Sequence, residues 1–152
     1  MIIIRYITFI LLIFTLSCGY KAVNNLESFN FTIGKYELIG DRKVNYVLER
    51  NFKRFQTNNN EKNYKVLAKS KKNISTLSKD SAGKISSYNI EIIVELEIFK
   101  NQKLIDNIAF KKDTNYDNLN SKFELKQYEN ILLRDLVEEI VININNHISS
   151  LK

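Results

Sequence analysis

Tyr88-Asn89-Ile90-Glu91-Ile92-Ile93-Val94-Glu95-Leu96-Glu97-Ile98-Phe99 decides how this chain folds. Tyr88, Ile90, Ile92, Val94, Leu96 and Ile98 recur at every second position, with Asn89, Glu91, Ile93, Glu95, Glu97 and Phe99 between them. A period of two with one apolar and one largely polar set describes a strand that buries one face and wets the other. The rest of the chain must cover that apolar face.

Working outward, Lys100-Asn101-Gln102-Lys103 turns the chain into a further strand, on which Ile108, Phe110, Lys112, Thr114 and Tyr116 share a face. On the other side, Lys79-Asp80-Ser81-Ala82-Gly83-Lys84 reads as a turn, with Gly83 free to take positive φ. Before it, Tyr64, Val66 and Ala68 alternate with Lys65, Leu67 and Lys69, so a strand begins near Asn63 and runs toward Ser78. Phe29-Asn30-Phe31-Thr32-Ile33, extended past Gly34 to Ile39, is the first strand. Thr57-Asn58-Asn59-Asn60 is a polar loop.

Two segments change period. After Gly40-Asp41, the positions Val44, Val47, Leu48, Asn51, Phe52 and Phe55 follow at steps of three and four. That is one stripe of a helix, with Asp41 as its N-cap and Glu49 placed to pair with Lys53. Ser121 with Glu124 fits a capping box. Beyond it Leu125, Tyr128, Ile131-Leu132-Leu133, Leu136-Val137, Ile140-Val141, Ile144, Ile148 and Leu151 keep helical spacing. This last helix, about 45 Å long at about 1.5 Å per residue, could lie diagonally across a sheet. The expected fold is therefore α+β: a four-stranded mixed sheet with two helices packed on one face, in the order β-α-β-β-β-α. The βαβ start implies a parallel crossover and the later strands an antiparallel meander.

The N-terminus carries a different kind of information. Arg5 is followed by an apolar run from Tyr6 to Leu16, then Ser17 and Cys18, the one cysteine of the chain. A basic start, a short apolar core and a small residue at the cut describe a secretory signal, and the run is too short for a spanning helix. Residues 1–17 read as a signal peptide of lipoprotein type, 18–28 as a lipidated tether, and 29–152 as a single domain. Cys18 is the lipidation site on this reading. An uncleaved anchor, or an ordinary signal with a free thiol, are its alternatives. A lone cysteine forms no internal disulfide, so the domain must stand on its core.

The formal charge is +6, and the chain has no proline or tryptophan. Two readings of the surplus stand side by side: a lysine-rich coding bias, and attraction to an anionic partner such as a phosphorylated glycolipid. Nucleic acid is not an expected partner of an exported protein. Catalysis is not expected either. The single histidine, His147, lies near a helix end and reads as a surface residue. No His/Cys ligand set and no phosphate-cradling glycine loop is present, so no metal and no cofactor is expected beyond covalent lipid on Cys18. Glu91, Glu95 and Glu97 share a strand face, where Lys65, Lys69 or Lys103 are candidate cross-strand partners.

Lys65, Lys69, Lys71, Lys72, Lys79 and Lys84 concentrate along the second strand and its turn. They are either edge charges that discourage strand-to-strand aggregation or an ammonium cluster that contacts lipid phosphates.

Taken together, the chain resembles the LPS-assembly lipoprotein family, LptE, in its alphaproteobacterial form. Cys18-Gly19-Tyr20 is similar to the family's Cys-Gly-aromatic start, and Asp41-Arg42 with Val44, Leu48 and Phe52 to the opening of its first helix. Tyr88 to Phe99 resembles its central strand; Thr114-Asn115-Tyr116 and Phe123 to Leu151 resemble its last strand end and closing helix. Thr15 in the lipobox and Ala22 after the aromatic depart from the pattern. The resemblance implies a non-catalytic lipoprotein on the periplasmic side of the outer membrane. It would plug and help assemble the β-barrel LptD and deliver lipopolysaccharide. A free-standing periplasmic lipoprotein that binds a small ligand or envelope component is the alternative.

Overall fold

The computed structural model describes residues 30–56 and 62–151. Its elements are β1 (Thr32–Gly40), α1 (Arg42–Phe55), β2 (Asn63–Lys79), β3 (Ile85–Lys100), β4 (Lys103–Asp117) and α2 (Lys122–Ser150). This is the expected order. The strands form one sheet in the order β1-β2-β3-β4, parallel between β1 and β2 and antiparallel thereafter.

Local chemistry sets the element ends. Asp41 Oδ1 accepts from the backbone N–H groups of Lys43 and Val44 at 2.9 and 3.0 Å, capping α1. Ser121 Oγ accepts from the N–H of Glu124 at 3.3 Å and caps α2. Asn101 and Gln102 take positive φ (51° and 65°) in the two-residue turn between β3 and β4, the conformation whose twist matches that of paired strands. Gly40 has φ 114°, and a Cβ there would stand 1.9 Å from the carbonyl oxygen of Ser70. Only glycine lets β1 pass this close to β2 as the chain turns into α1.

The apolar set of β3 is buried: Ile90, Ile92, Val94, Leu96 and Ile98 are all fully inaccessible. They meet Tyr64, Val66 and Ala68 of β2, Val44, Leu48 and Phe52 of α1, and Val137, Ile140, Ile144 and Ile148 of α2 in one core. Ile140 to Ile148 is rich in β-branched residues, poor helix formers in isolation. Packing of Ile140, Val141, Ile144 and Ile148 into the core stabilises that stretch.

Both helices lie on the same face. α1 packs on β1 and β2, and α2 on β3 and β4. α2 therefore runs lengthwise, not diagonally across the whole sheet, because α1 already occupies the other half. The contacts Tyr116–Glu129, Lys112–Glu139 and Asp106–His147 show it antiparallel to β4. Lys43–Asn130 and Arg50–Glu138 show the two helices parallel to each other.

The sheet is not uniform along its length. β1 pairs with β2 only from Asn63 to Ser70, whereas β2 pairs with β3 from Lys65 to Lys79. The far half of the sheet is three strands wide, and Ile74, Thr76 and Leu77 are exposed there.

Candidate functional site

Cys18, the tether before Phe29 and the loop at 57–60 lie outside the described residues. The surfaces that can be described are the uncovered face of the sheet, the β2–β3 tip and the seam between the helices.

The pleat divides the six lysines. Lys65, Lys69 and Lys71 point to the uncovered face, opposite to the set Tyr64, Val66, Ala68 and Ser70 that is buried under the helices. Lys72 is on the helix side, where its Nζ lies 3.6 Å from Asp41 Oδ2. Lys79 and Lys84 flank the turn at the tip, past irregular pairing at Thr76 and Ser78. Asp80 folds that turn on itself, accepting from the N–H groups of Ala82 and Lys84 at 2.9 Å each. The six are therefore three groups, not one cluster.

On the uncovered face, ion pairs cross the strands. Lys69 Nζ reaches Glu97 at 2.7 Å, diagonal to its direct neighbour Glu95. Glu91 pairs with Lys111 of β4 and accepts from Asn73 at 2.9 Å. These bonds hold its carboxyl below the usual range, the Lys111 contact contributing most. Lys111 was not visible as a partner because the choice between neighbouring strands depends on register. Lys65 stands 5.9 Å from the Phe99 ring centre, a cation–π distance. Lys103 pairs in register with Lys100, not with a carboxylate. The face mixes these charges with the apolar side chains of Ile39, Leu67, Ile93 and Phe99, which stand opposite Lys69, Glu97, Lys71 and Lys65 in the strand register.

His147 is not the free surface residue expected from its position. Its Nε2 lies 2.5 Å from Asp106 Oδ2, and its ring meets Phe110 edge-on at 6.0 Å. At the other end of α2, Tyr116 donates its hydroxyl to Glu129 at 3.0 Å and stacks on Tyr88 at 5.5 Å. Burial, reinforced by Glu129, raises the Tyr116 phenol far above its ordinary value. Burial also pushes the Glu129 carboxyl up, but Lys126 and the Tyr116 hydroxyl outweigh that and leave it lowered. Both are structural ties between strand and helix.

Among the described residues, no group of three or more His, Cys, Asp or Glu side chains is placed to hold a metal ion. Nor is any described helix long and apolar enough to cross a membrane.

The seam between the helices was missed in the sequence. Arg42, Lys43, Arg50 and Arg134 ring a cleft floored by Val47 and Leu133. Arg42, Lys43 and Arg50 stand out as basic positions of α1, yet only the packing of α2 brings Arg134 among them.

No protein-family model matches the chain, and no curated protein matches it by sequence. Solved structures do match in shape. A minor lipoprotein from Acinetobacter baumannii is 18% identical, with a TM-score of 0.54, over 79% of this chain and 93% of its own. Lipoprotein B from Nitrosomonas europaea is 12% identical, with a TM-score of 0.58, over 79% and 84%. A lipoprotein from Caulobacter crescentus is 10% identical, with a TM-score of 0.53, over 76% and 88%. At such identities the likeness is one of fold, and it spans nearly the whole of each neighbour.

Proposed function

We propose that this chain is a lipoprotein of the LptE type, lipidated at Cys18 and held at the periplasmic side of the outer membrane. There it acts as plug and assembly factor of the barrel LptD in lipopolysaccharide transport. The observation that carries the reading is the fold shared with several bacterial lipoproteins along most of their length, joined to the Phe14-Thr15-Leu16-Ser17-Cys18-Gly19 start.

The geometry suits the role. A plug needs a domain that buries its apolar surface on its own and turns polar faces outward, because a barrel lumen of this class is polar. The sheet buries one face under both helices and leaves the other uncovered, where Lys69–Glu97 and Lys111–Glu91 pair across the strands. Acyl chains on Cys18, at about 0.8 kcal/mol per buried CH₂, would keep the domain at the membrane. The role is non-catalytic and uses no cofactor. Lys65, Lys69 and Lys71 on the open face, Lys72 on the helix side and Lys79 and Lys84 at the tip remain the candidate lipopolysaccharide contacts.

Extraction of the tagged chain in mild detergent is the test. A stoichiometric large outer-membrane barrel should co-purify. Recovery of the protein alone would refute the plug role and favour a free-standing periplasmic lipoprotein. Cys18→Ser should release the chain from membranes when the barrel is absent.

A further inference from the structure

We infer that the free edge of β2 beyond β1, from Lys72 to Thr76, takes up an extended segment of another protein as an added strand. That segment has an uncharged centre and acidic ends. β1 leaves the sheet at Gly40, opposite Ser70, while β2 goes on paired with β3 alone. The Ser70 carbonyl accepts from the Asp41 N–H at 3.2 Å and so faces the β1 side. Backbone groups alternate sides along a strand, so the N–H and C=O of Lys72, Ile74 and Thr76 turn the same way as those of Ser70. Among the described residues no strand and no turn or cap bond meets them there. Pairing with β3 becomes irregular between Thr76 and Ser78, which ends this edge.

Exposed edges are ordinarily guarded by charge, proline or a covering element. This one is not. Asn73-Ile74-Ser75-Thr76-Leu77-Ser78 carries no charge, and the chain has no proline. On β1 and β4, the outer strands, no uncharged run exceeds four residues. Ile74 and Leu77 are 39% and 53% exposed, so apolar side chains flank the open backbone. α1 begins only at Arg42 and packs on the half of the sheet that β1 shares.

Charge selects the occupant. Lys71 stands at one end of the uncharged run and Lys79 and Lys84 at the other, and none of the three makes an ion pair among the described residues. A second copy would bring the same lysines to the seam. Paired antiparallel about Ser75, its Lys79 would face Lys71, and like charges directly opposite are destabilising. Acidic ends on a foreign segment meet these lysines instead. A lipid phosphate could also neutralise them, but it leaves the alternating donors and acceptors of the edge unmatched. Another backbone supplies both in the right order, which is how strand addition gains its affinity. The inference does not rest on the plug role, since the edge is open whether or not a barrel surrounds the domain.

A peptide array tests it. Peptides with Asp at both ends and every combination of Val, Ile, Thr and Ser between are probed with the full chain in mild detergent. The strongest binder is then N-methylated at alternate residues, which removes the N–H groups of one side only. One methylated form should lose binding and the other keep it. Thr76→Pro removes an edge-facing N–H and no bond to β3, a substitution that strand edges tolerate. It should weaken binding about tenfold, as for a backbone hydrogen bond left unmade. Lys71→Glu with Lys79→Glu should exchange the preference, so that Lys-ended peptides bind in place of Asp-ended ones. Lys35→Gln with Lys103→Gln, toward the opposite end of the sheet, should change nothing. The methylated peptides meet the unaltered chain, so they decide even where Thr76→Pro does not fold. No binder in the array, or equal binding of both methylated forms, would overturn the inference. A dimer of the full chain that Thr76→Pro dissociates would assign the edge to a second copy and refute the foreign strand. Binding that dodecyl phosphate abolishes and neither methylation touches would return the lysines to a lipid headgroup and refute it equally.

Discussion

His147 Nε2 and Asp106 Oδ2 meet at 2.5 Å, fastening the last turns of α2 to β4, the outer strand on that side of the sheet. Both side chains are about one-quarter exposed. Loss of either leaves a partly buried polar group without its partner, at a cost of roughly 1–3 kcal/mol. His147→Ala and Asp106→Ala should each lower the urea midpoint. The double variant should be less destabilised than the sum, by about 1 kcal/mol. Strict additivity would mean that the pair contributes nothing.

Asp41 carries two tasks, the cap of α1 and the pairing with Lys72. Burial pushes its carboxyl up, but the Val44 N–H, the Lys72 charge and the Lys43 N–H outweigh this. Its folded value therefore lies below the ordinary 3.8. A depressed value means a contribution fully present above pH 3.8 and lost as pH falls through the folded value. Asp41→Ala should cost about 1–2 kcal/mol at neutral pH. Asp41→Asn keeps a capping oxygen and should mainly flatten the acid limb of the stability profile below about pH 4.

Gly40 and Gly83 both have positive φ, with unequal surroundings. A methyl at Gly40 collides with the Ser70 carbonyl, whereas nothing lies within 4 Å of one at Gly83. Gly40→Ala should destabilise by several kcal/mol, or prevent folding, while Gly83→Ala should cost only about 1 kcal/mol. Thermal melts of the pair would check this, and equal effects would contradict the close approach of β1 to β2.

Tyr116→Phe removes the hydroxyl bonded to Glu129 and leaves the ring stack on Tyr88 in place. A loss of about 1–2 kcal/mol is expected, the range for a hydrogen bond to a charged group. The accompanying change should be a rise in the Glu129 carboxyl value, since one of the groups that lowers it is gone. Carboxyl titration by NMR would read that shift.

On the open face, Lys69→Ala should leave stability almost unchanged, because exposed ion pairs are weak. If the face lies against a barrel, the same substitution should instead weaken co-purification. Stability and partner retention are thus read separately from one variant.

Periodicity alone placed every described strand and both helices, since Ile90 to Ile98 admits one buried face and α1 one buried stripe. The caps at Asp41 and Ser121 were equally legible, because capping is decided within four residues. The N-terminal pattern around Cys18 is likewise a local signal, and it carries the proposed anchoring. What the sequence could not contain was the relation between distant segments. The Asp106–His147 tie spans 41 residues, and the Lys111–Glu91 pair depends on the register of β4. β1 ends opposite Ser70, so that β2 outruns it, and the basic cleft exists only because α1 and α2 lie parallel, side by side. Period and capping act between chain neighbours, whereas register, strand length and helix placement follow from how one apolar face is shared among all its covers.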